Sequence, residues 1–268
     1  MGFIDEVVLD AIWDGARYLY FKSKNKRRAK AFGTFATANG LAFDAKLTDY
    51  RGELMQMHAP SAAELKSQGK KRLSRKARHA SRWFGDSSLQ TRLWAFNSNR
   101  WRGDWQANCN IMEGTWKGHL ITSFDTLWFE FGDADSEGEY TSVFAHCPNA
   151  DMPQVIITPT GLLSMLKRAD EGQLINAGYH KQQFESTQFN SSWRVSSVDQ
   201  RKASDFISQD MMEYLLRHKD GKWHIELSPG GVLISTVYTL SPAKVELAMD
   251  FLAGLLDHID ADLLRNQS

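Results

Sequence analysis

Asp125, Glu185 and Asp199 are the carboxylates from which a hydrolase could be assembled. General acid–base catalysis needs two such groups converging with displaced pKa values, and linear spacing does not establish convergence. A denser acidic set, Asp133, Asp135, Glu137 and Glu139, begins as Asp-x-Asp-x-x-Gly, the opening of a calcium loop. The twelfth position of that loop, where calcium needs an acidic ligand, falls on Phe144. Residues 132–139 therefore read as an acidic hairpin tip. Cys109, Cys147, His119 and His146 offer soft and borderline ligands. They form neither a Cys-x-x-Cys nor a His-x-x-x-His pair, so no zinc site is assigned. His146 and Cys147 are adjacent on a strand-like run and so face opposite sides, which separates a thiol from its base. The sequence assigns no metal, no cofactor and no catalytic residue.

Cations give a stronger pattern. Residues 3–21 carry Phe3, Ile4, Val7, Val8 and Ile12 in a largely 3.6-residue rhythm, and Lys22, Lys24, Lys26, Arg27, Arg28 and Lys30 follow. An apolar helical face beside clustered cations is the layout of an interfacial membrane anchor. Asp5, Glu6, Asp10 and Asp14 decorate the other face, and they fit a core helix better than one lying on anionic lipid. A second basic region runs from Lys66 to Arg82, with Lys70, Lys71, Arg72, Arg75, Lys76 and Arg78 as candidate anion ligands. A solvated charged insertion is the preferred reading. Aromatic side chains that could stack on bases are absent until Trp83 and Phe84, which disfavours nucleic acid as a partner.

The totals narrow the class. With 268 residues, 42% of them hydrophobic and 24% charged, the chain can bury a sizeable core. Its 9 Trp, 15 Phe and 7 Tyr exclude a disordered protein. Two cysteines are too few for a secreted disulfide scaffold. With no spanning stretch and no signal peptide, the expected location is cytoplasmic, or peripheral on the inner membrane face. The zero net charge conceals a division. Residues 1–102 hold 20 Lys or Arg against 9 Asp or Glu, and residues 103–268 hold 12 against 23. Such halves suit an anionic partner, attraction within the fold, or head-to-tail self-association.

The elements that must position these groups are legible in outline. Asn39-Gly40 reads as a helix C-cap, with Phe32, Phe35 and Ala36 on the preceding helix and a short strand through Leu41 and Phe43. The expected strands are 108–113, 119–125, 126–131, 140–145 and 154–158. Trp101, Trp105, Trp116 and Trp128 fit core filling better than a groove. Residues 184–237 read as strand, helix and hairpin, with Ser208 capping a helix that carries Met211, Met212, Leu215 and Leu216. In the hairpin, His224 alternates with Trp223 and Ile225 and is expected to face solvent. Ser241-Pro242 opens a last helix with a broad apolar face. The fold class is α+β, an antiparallel-rich sheet covered by helices, with an N-terminal helical arm. The expected organisation is an arm at 1–40, a connecting region with the basic insertion at 41–104, and a core domain at 105–264.

Several short motifs carry a family likeness. They are Ala31-Phe32-x-x-Phe35-Ala36-x-x-Asn39-Gly40, Asn110-Ile111-x-Glu113-Gly114-x-x-x-Gly118 leading to Phe124-Asp125, and Phe184-Glu185-Ser186-x-x-Phe189-Asn190 with Arg194-Val195, Asp199 and Met211-Met212-x-x-Leu215-Leu216. Together they resemble an uncharacterised, mainly actinobacterial family of membrane-tethered proteins. The resemblance implies an N-terminal tether and brings no catalytic residues. Members of that family carry a true N-terminal span, whereas here Asp5, Glu6, Asp10, Asp14 and Arg17 interrupt it and leave surface attachment. The expectation is a non-enzymatic binding or scaffolding domain on the inner membrane surface. Its alternatives are a hydrolase with paired carboxylates and a head-to-tail protein-interaction module.

Overall fold

The computed structural model describes residues 26–45, 48, 49, 93, 96, 105–130, 136–148, 150, 152–160 and 174–259. Helix α1 (26–38) leads into β1 (Ala42–Asp44) and β2 (Thr48–Asp49), and three long strands follow: β3 (Trp105–Trp116), β4 (His119–Glu130) and β5 (Ser136–Cys147). Next come β6 (Val155–Pro159), β7 (His180–Gln182), α2 (Thr187–Ser192), β8 (Trp193–Ser197), α3 (Gln200–Phe206) and α4 (Gln209–Arg217). The hairpin β9 (His224–Ser228) and β10 (Gly230–Ser235) precedes α5 (Pro242–Asp257). The strands form one sheet in the order β1-β3-β4-β5-β10-β9-β6-β8-β7, with β2 also on β3. Every described pairing is antiparallel. The expected α+β class is what the chain adopts.

Alternation along the strands sorts side chains onto two faces. One face presents Met112, Ile121, Val143, Ala145, Val155, Ile157, Val195, Ile225, Leu227, Val232 and Ile234 to the helices, and this is the main core. Helix α5 lies on it through Val245, Ala248, Leu252 and Leu255, all fully buried. The other face is buried as well. Phe124, Phe144 and Leu233 pack there with Leu93 and Phe96. Gly231 makes room for this layer, since a Cβ there would collide with the Ala145 carbonyl and the Phe144 ring.

Three expectations need correction. Residues 119–131 do not divide into two strands. No turn former interrupts Asp125-Thr126, so β4 runs unbroken over 12 residues. Residues 136–139 belong to β5 and not to a hairpin tip. His224 does not face solvent: its side chain is 13% exposed and lies 3.9 Å from the carboxylate of Glu226, which is itself completely buried. The alternation was read correctly, but the second face is covered. Within residues 1–40, the described helix packs on the sheet. Phe32 and Ala36 sit in the main core at 1% and 0% exposure, and β1 pairs with β3, so α1 and β1 belong to the same unit as the sheet.

Candidate functional site

Helix α1 turns Arg28, Phe32, Phe35 and Ala36 inward, at positions i, i+4, i+7 and i+8, with Phe32 and Ala36 buried and the other two partly so. A Schellman-type end fixes its exit: Leu41 N donates to Ala36 O at 2.9 Å, and Gly40 takes a φ of +67°. Asn39 adds a side-chain bond to Phe35 O at 2.9 Å. Leu41 then lies against Gly114, where any Cβ would stand 2.7 Å from the leucine Cδ2. The helix is thereby sealed at its C-terminal end over β3.

The other end is held by charge. Arg28 Nε donates to Asp125 Oδ2 at 2.5 Å, and its Nη2 donates to Oδ1 at 2.7 Å, a two-point pair between α1 and β4. Asn110 Nδ2 donates to Oδ2 at 2.8 Å and Thr141 Oγ1 to Oδ1 at 2.7 Å. Asn110 reaches the carboxylate from the irregularity between Cys109 and Met112, where it adopts a φ of +52°. Thr141 Oγ1 also accepts from Arg28 Nη2 at 3.2 Å and from Leu240 N at 2.9 Å. Its one donor and two acceptor positions are all used. The Arg28 guanidinium lies 4.4 Å from the Phe32 ring centroid, one turn along the helix.

This cluster answers the hydrolase reading. Asp125 receives four hydrogen bonds, which fills the acceptor sites of a carboxylate, so it has no lone pair left to act as a base. Asp199 caps α3 by accepting from Lys202 N at 3.0 Å. Glu185 is exposed beside α2. Asp125 on β4 and Asp199 at the end of β8 are separated by five strand spacings, about 24 Å. The three carboxylates are not brought together. An open polar cleft of about 490 Å³ lies at the β7 edge, lined by Lys181, Gln182, Gln183, Gln200 and Ser204, and none of the three lines it. The Gln182 side chain is already engaged there: its Nε2 donates to the Gln200 backbone carbonyl at 2.9 Å and to Ser204 Oγ at 2.5 Å, and its Oε1 accepts from Ser197 Oγ at 3.0 Å. Burial pushes the Cys147 thiol up to about 11, the wrong direction for a nucleophile. Among the described residues, no cluster of His, Cys, Asp and Glu could hold a metal ion.

Lys26, Arg27 and Lys30 are exposed, whereas Arg28 is spent on Asp125 and its side chain is only 17% exposed. At about 100° per residue, those three cations span one side of α1, opposite the stripe Arg28-Phe32-Phe35-Ala36. Sequence reasoning counted Arg28 with the lipid-facing cations, and its partner 97 residues away left no local sign. The candidate residues Phe3, Ile4, Val7, Val8, Ile12, Lys22 and Lys24 lie outside the described residues. So do Lys70, Lys71, Arg72, Arg75, Lys76 and Arg78. Among the described residues no helix is long and apolar enough to cross a membrane.

No family model matches the chain, and no curated protein matches it. Among solved structures it is similar to the mycobacterial trehalose monomycolate transport factor A, TtfA, at 12% identity and a TM-score of 0.47. That alignment covers 85% of this chain and 93% of the other.

Proposed function

We propose that this protein is a non-catalytic binding or scaffolding domain held on an anionic membrane surface through its N-terminal segment. One observation carries the reading. The outward face of α1 presents Lys26, Arg27 and Lys30 while its inward face is locked into the core. In the sequence these cations continue Lys22 and Lys24 and the amphipathic residues 3–12. Each basic side chain near an anionic surface is worth about 1 kcal/mol, so the cluster supplies several. A segment bound to lipid would then set the position of the whole sheet, because α1 cannot turn without breaking the Arg28–Asp125 pair.

Flotation of the full chain with phosphatidylcholine vesicles, with and without phosphatidylglycerol, tests this. Binding should require the anionic lipid and weaken with salt. The triple variant Lys26→Gln, Arg27→Gln, Lys30→Gln should lose about 100-fold in partition, from about 3 kcal/mol. Full-length protein that stays in solution beside acidic vesicles at low salt would end the proposal.

A further inference from the structure

Asn39-Gly40 is the one Asn-Gly pair in the chain, and it closes the end of α1. An asparagine before glycine can lose its side-chain amide to its own backbone, because no Cβ on the next residue hinders the approach of that nitrogen. The attack needs a side chain that can turn and a backbone N–H that is not firmly held. Both conditions are met here. Asn39 and Gly40 are exposed. Among the described residues the Asn39 side chain is held through one bond, from Nδ2 to Phe35 O at 2.9 Å. Gly40 N reaches Thr37 O at 3.3 Å, longer than the other backbone bonds of this cap, which run from 2.9 to 3.1 Å. A Cβ built at Gly40 would meet nothing within 4 Å, so the space around the pair is open.

The other described asparagines are protected. Asn108 and Asn110 are 3% and 1% exposed. Asn190 is held at both ends of its amide: Nδ2 donates to Phe184 O at 2.6 Å, and Oδ1 accepts from Phe184 N at 3.0 Å. Asn176 is exposed, but Ala177 follows it and brings a hindering Cβ.

We propose that Asn39-Gly40 is a self-modification site, and that its isoaspartyl product unlatches the C-terminal end of α1 from β3. Gly40 N gives up its proton and bonds to Asn39 Cγ. The Cγ–Nδ2 bond breaks, and Nδ2 leaves as ammonia with that proton. Water then opens the cyclic imide. Cleavage at Cγ gives aspartate. Cleavage at the main-chain carbonyl of residue 39 gives isoaspartate, whose chain runs on through Cγ and whose former main-chain carbonyl becomes a free carboxylate. Nothing is oxidised or reduced. Both products lose the donor to Phe35 O and place a negative charge at the negative end of the helix. Isoaspartate also adds a methylene carbon to the main chain inside the loop that Leu41 N closes on Ala36 O. Leu41 is the residue seated on Gly114, so the added length falls where α1 is fastened to β3. The inference is independent of the membrane reading.

The test keeps the full chain folded in warm, mildly alkaline buffer, with a second portion in mildly acidic buffer and a third in alkaline buffer with urea. An acidic species should accumulate in the folded alkaline portion and more slowly in the acidic one, since the attacking nitrogen must lose its proton. Peptide mapping should place it at residue 39, mainly as isoaspartate and ahead of every other asparagine. Asn39→Gln, an exposed change that leaves the fold alone, should abolish it. Hydrogen exchange on the separated isoaspartyl protein should then show the Leu41 amide exchanging about tenfold faster than in the unmodified chain. An Asn39 that keeps its amide in the folded chain, or loses it only in urea, overturns the proposal. So does an isoaspartyl protein whose Leu41 amide is as protected as before.

Discussion

At the scale of single residues, the Arg28–Asp125 pair decides most. Breaking a buried pair costs about 3–5 kcal/mol, because one charge is left without its partner in a poor solvent. Here the remaining carboxylate would keep Asn110 and Thr141 as donors, and Arg28 is not wholly buried. Arg28→Ala should therefore cost about 2–3 kcal/mol, at or below the lower end of that range. Asp125→Ala should cost at least as much, since four donor groups lose their acceptor. The double variant should be less destabilised than the sum of the two, and urea melts of all four proteins measure that coupling. Additive losses would show that the pair is not coupled. The sequence marked both residues, Arg28 as a cation and Asp125 as a carboxylate, but gave each a different role. A pairing across 97 residues has no period and no local spacing, and only the sheet brings it about.

At the scale of elements, α4 and α5 meet through Tyr214. Its hydroxyl donates to Phe251 O at 2.8 Å, and its ring lies between His218 and His258, with centroids 4.2 and 4.5 Å away. Gly254 is required at this contact, since a Cβ would collide with the tyrosine hydroxyl. Burial, with the negative charges of Asp257 and Asp250 assisting and Arg217 opposing, pushes Tyr214 up from 10.0 to about 12. The unfolded chain releases this proton first, so the contribution is complete below pH 10 and is lost as pH rises toward 12. Wild-type stability should fall more steeply than that of Tyr214→Phe across this window, and parallel curves from denaturant melts would contradict the assignment. The helices themselves were legible because their signals are local. Ser208 caps α4 by accepting from Met211 N at 3.2 Å, Pro242 opens α5, and Gly40 closes α1. The strands were less so. An unbroken β4 and a strand of Trp193–Ser197 preceded by a helical turn at Thr187–Ser192 both depend on what packs over them. The burial of His224 likewise depends on a second layer that alternation cannot reveal.

At the scale of the whole molecule, the division of charge along the chain acquires a physical use. The basic half supplies Arg28 to the acidic half's Asp125 and turns Lys26, Arg27 and Lys30 outward from the same helix. One short element thus serves both attraction within the fold and the proposed attraction to lipid, which the sequence had offered as alternatives. This separates the N-terminal residues into two groups with different expected roles. Removing residues 1–21 takes away Phe3, Ile4, Val7, Val8 and Ile12 and leaves residues 26–38 of α1 in place, so the unfolding transition should remain while vesicle binding weakens. Removing residues 1–40 also takes Phe32, worth about 3–5 kcal/mol when truncated in a core, and the ion pair, worth a further 2–3. Together these approach the total stability of about 5–15 kcal/mol typical of a domain. The longer deletion should therefore show no cooperative thermal transition, and the shorter one should melt close to the full chain. If the longer deletion melts like the intact protein, α1 is not part of the folding unit, and the proposed rigid link from membrane to sheet is lost with it.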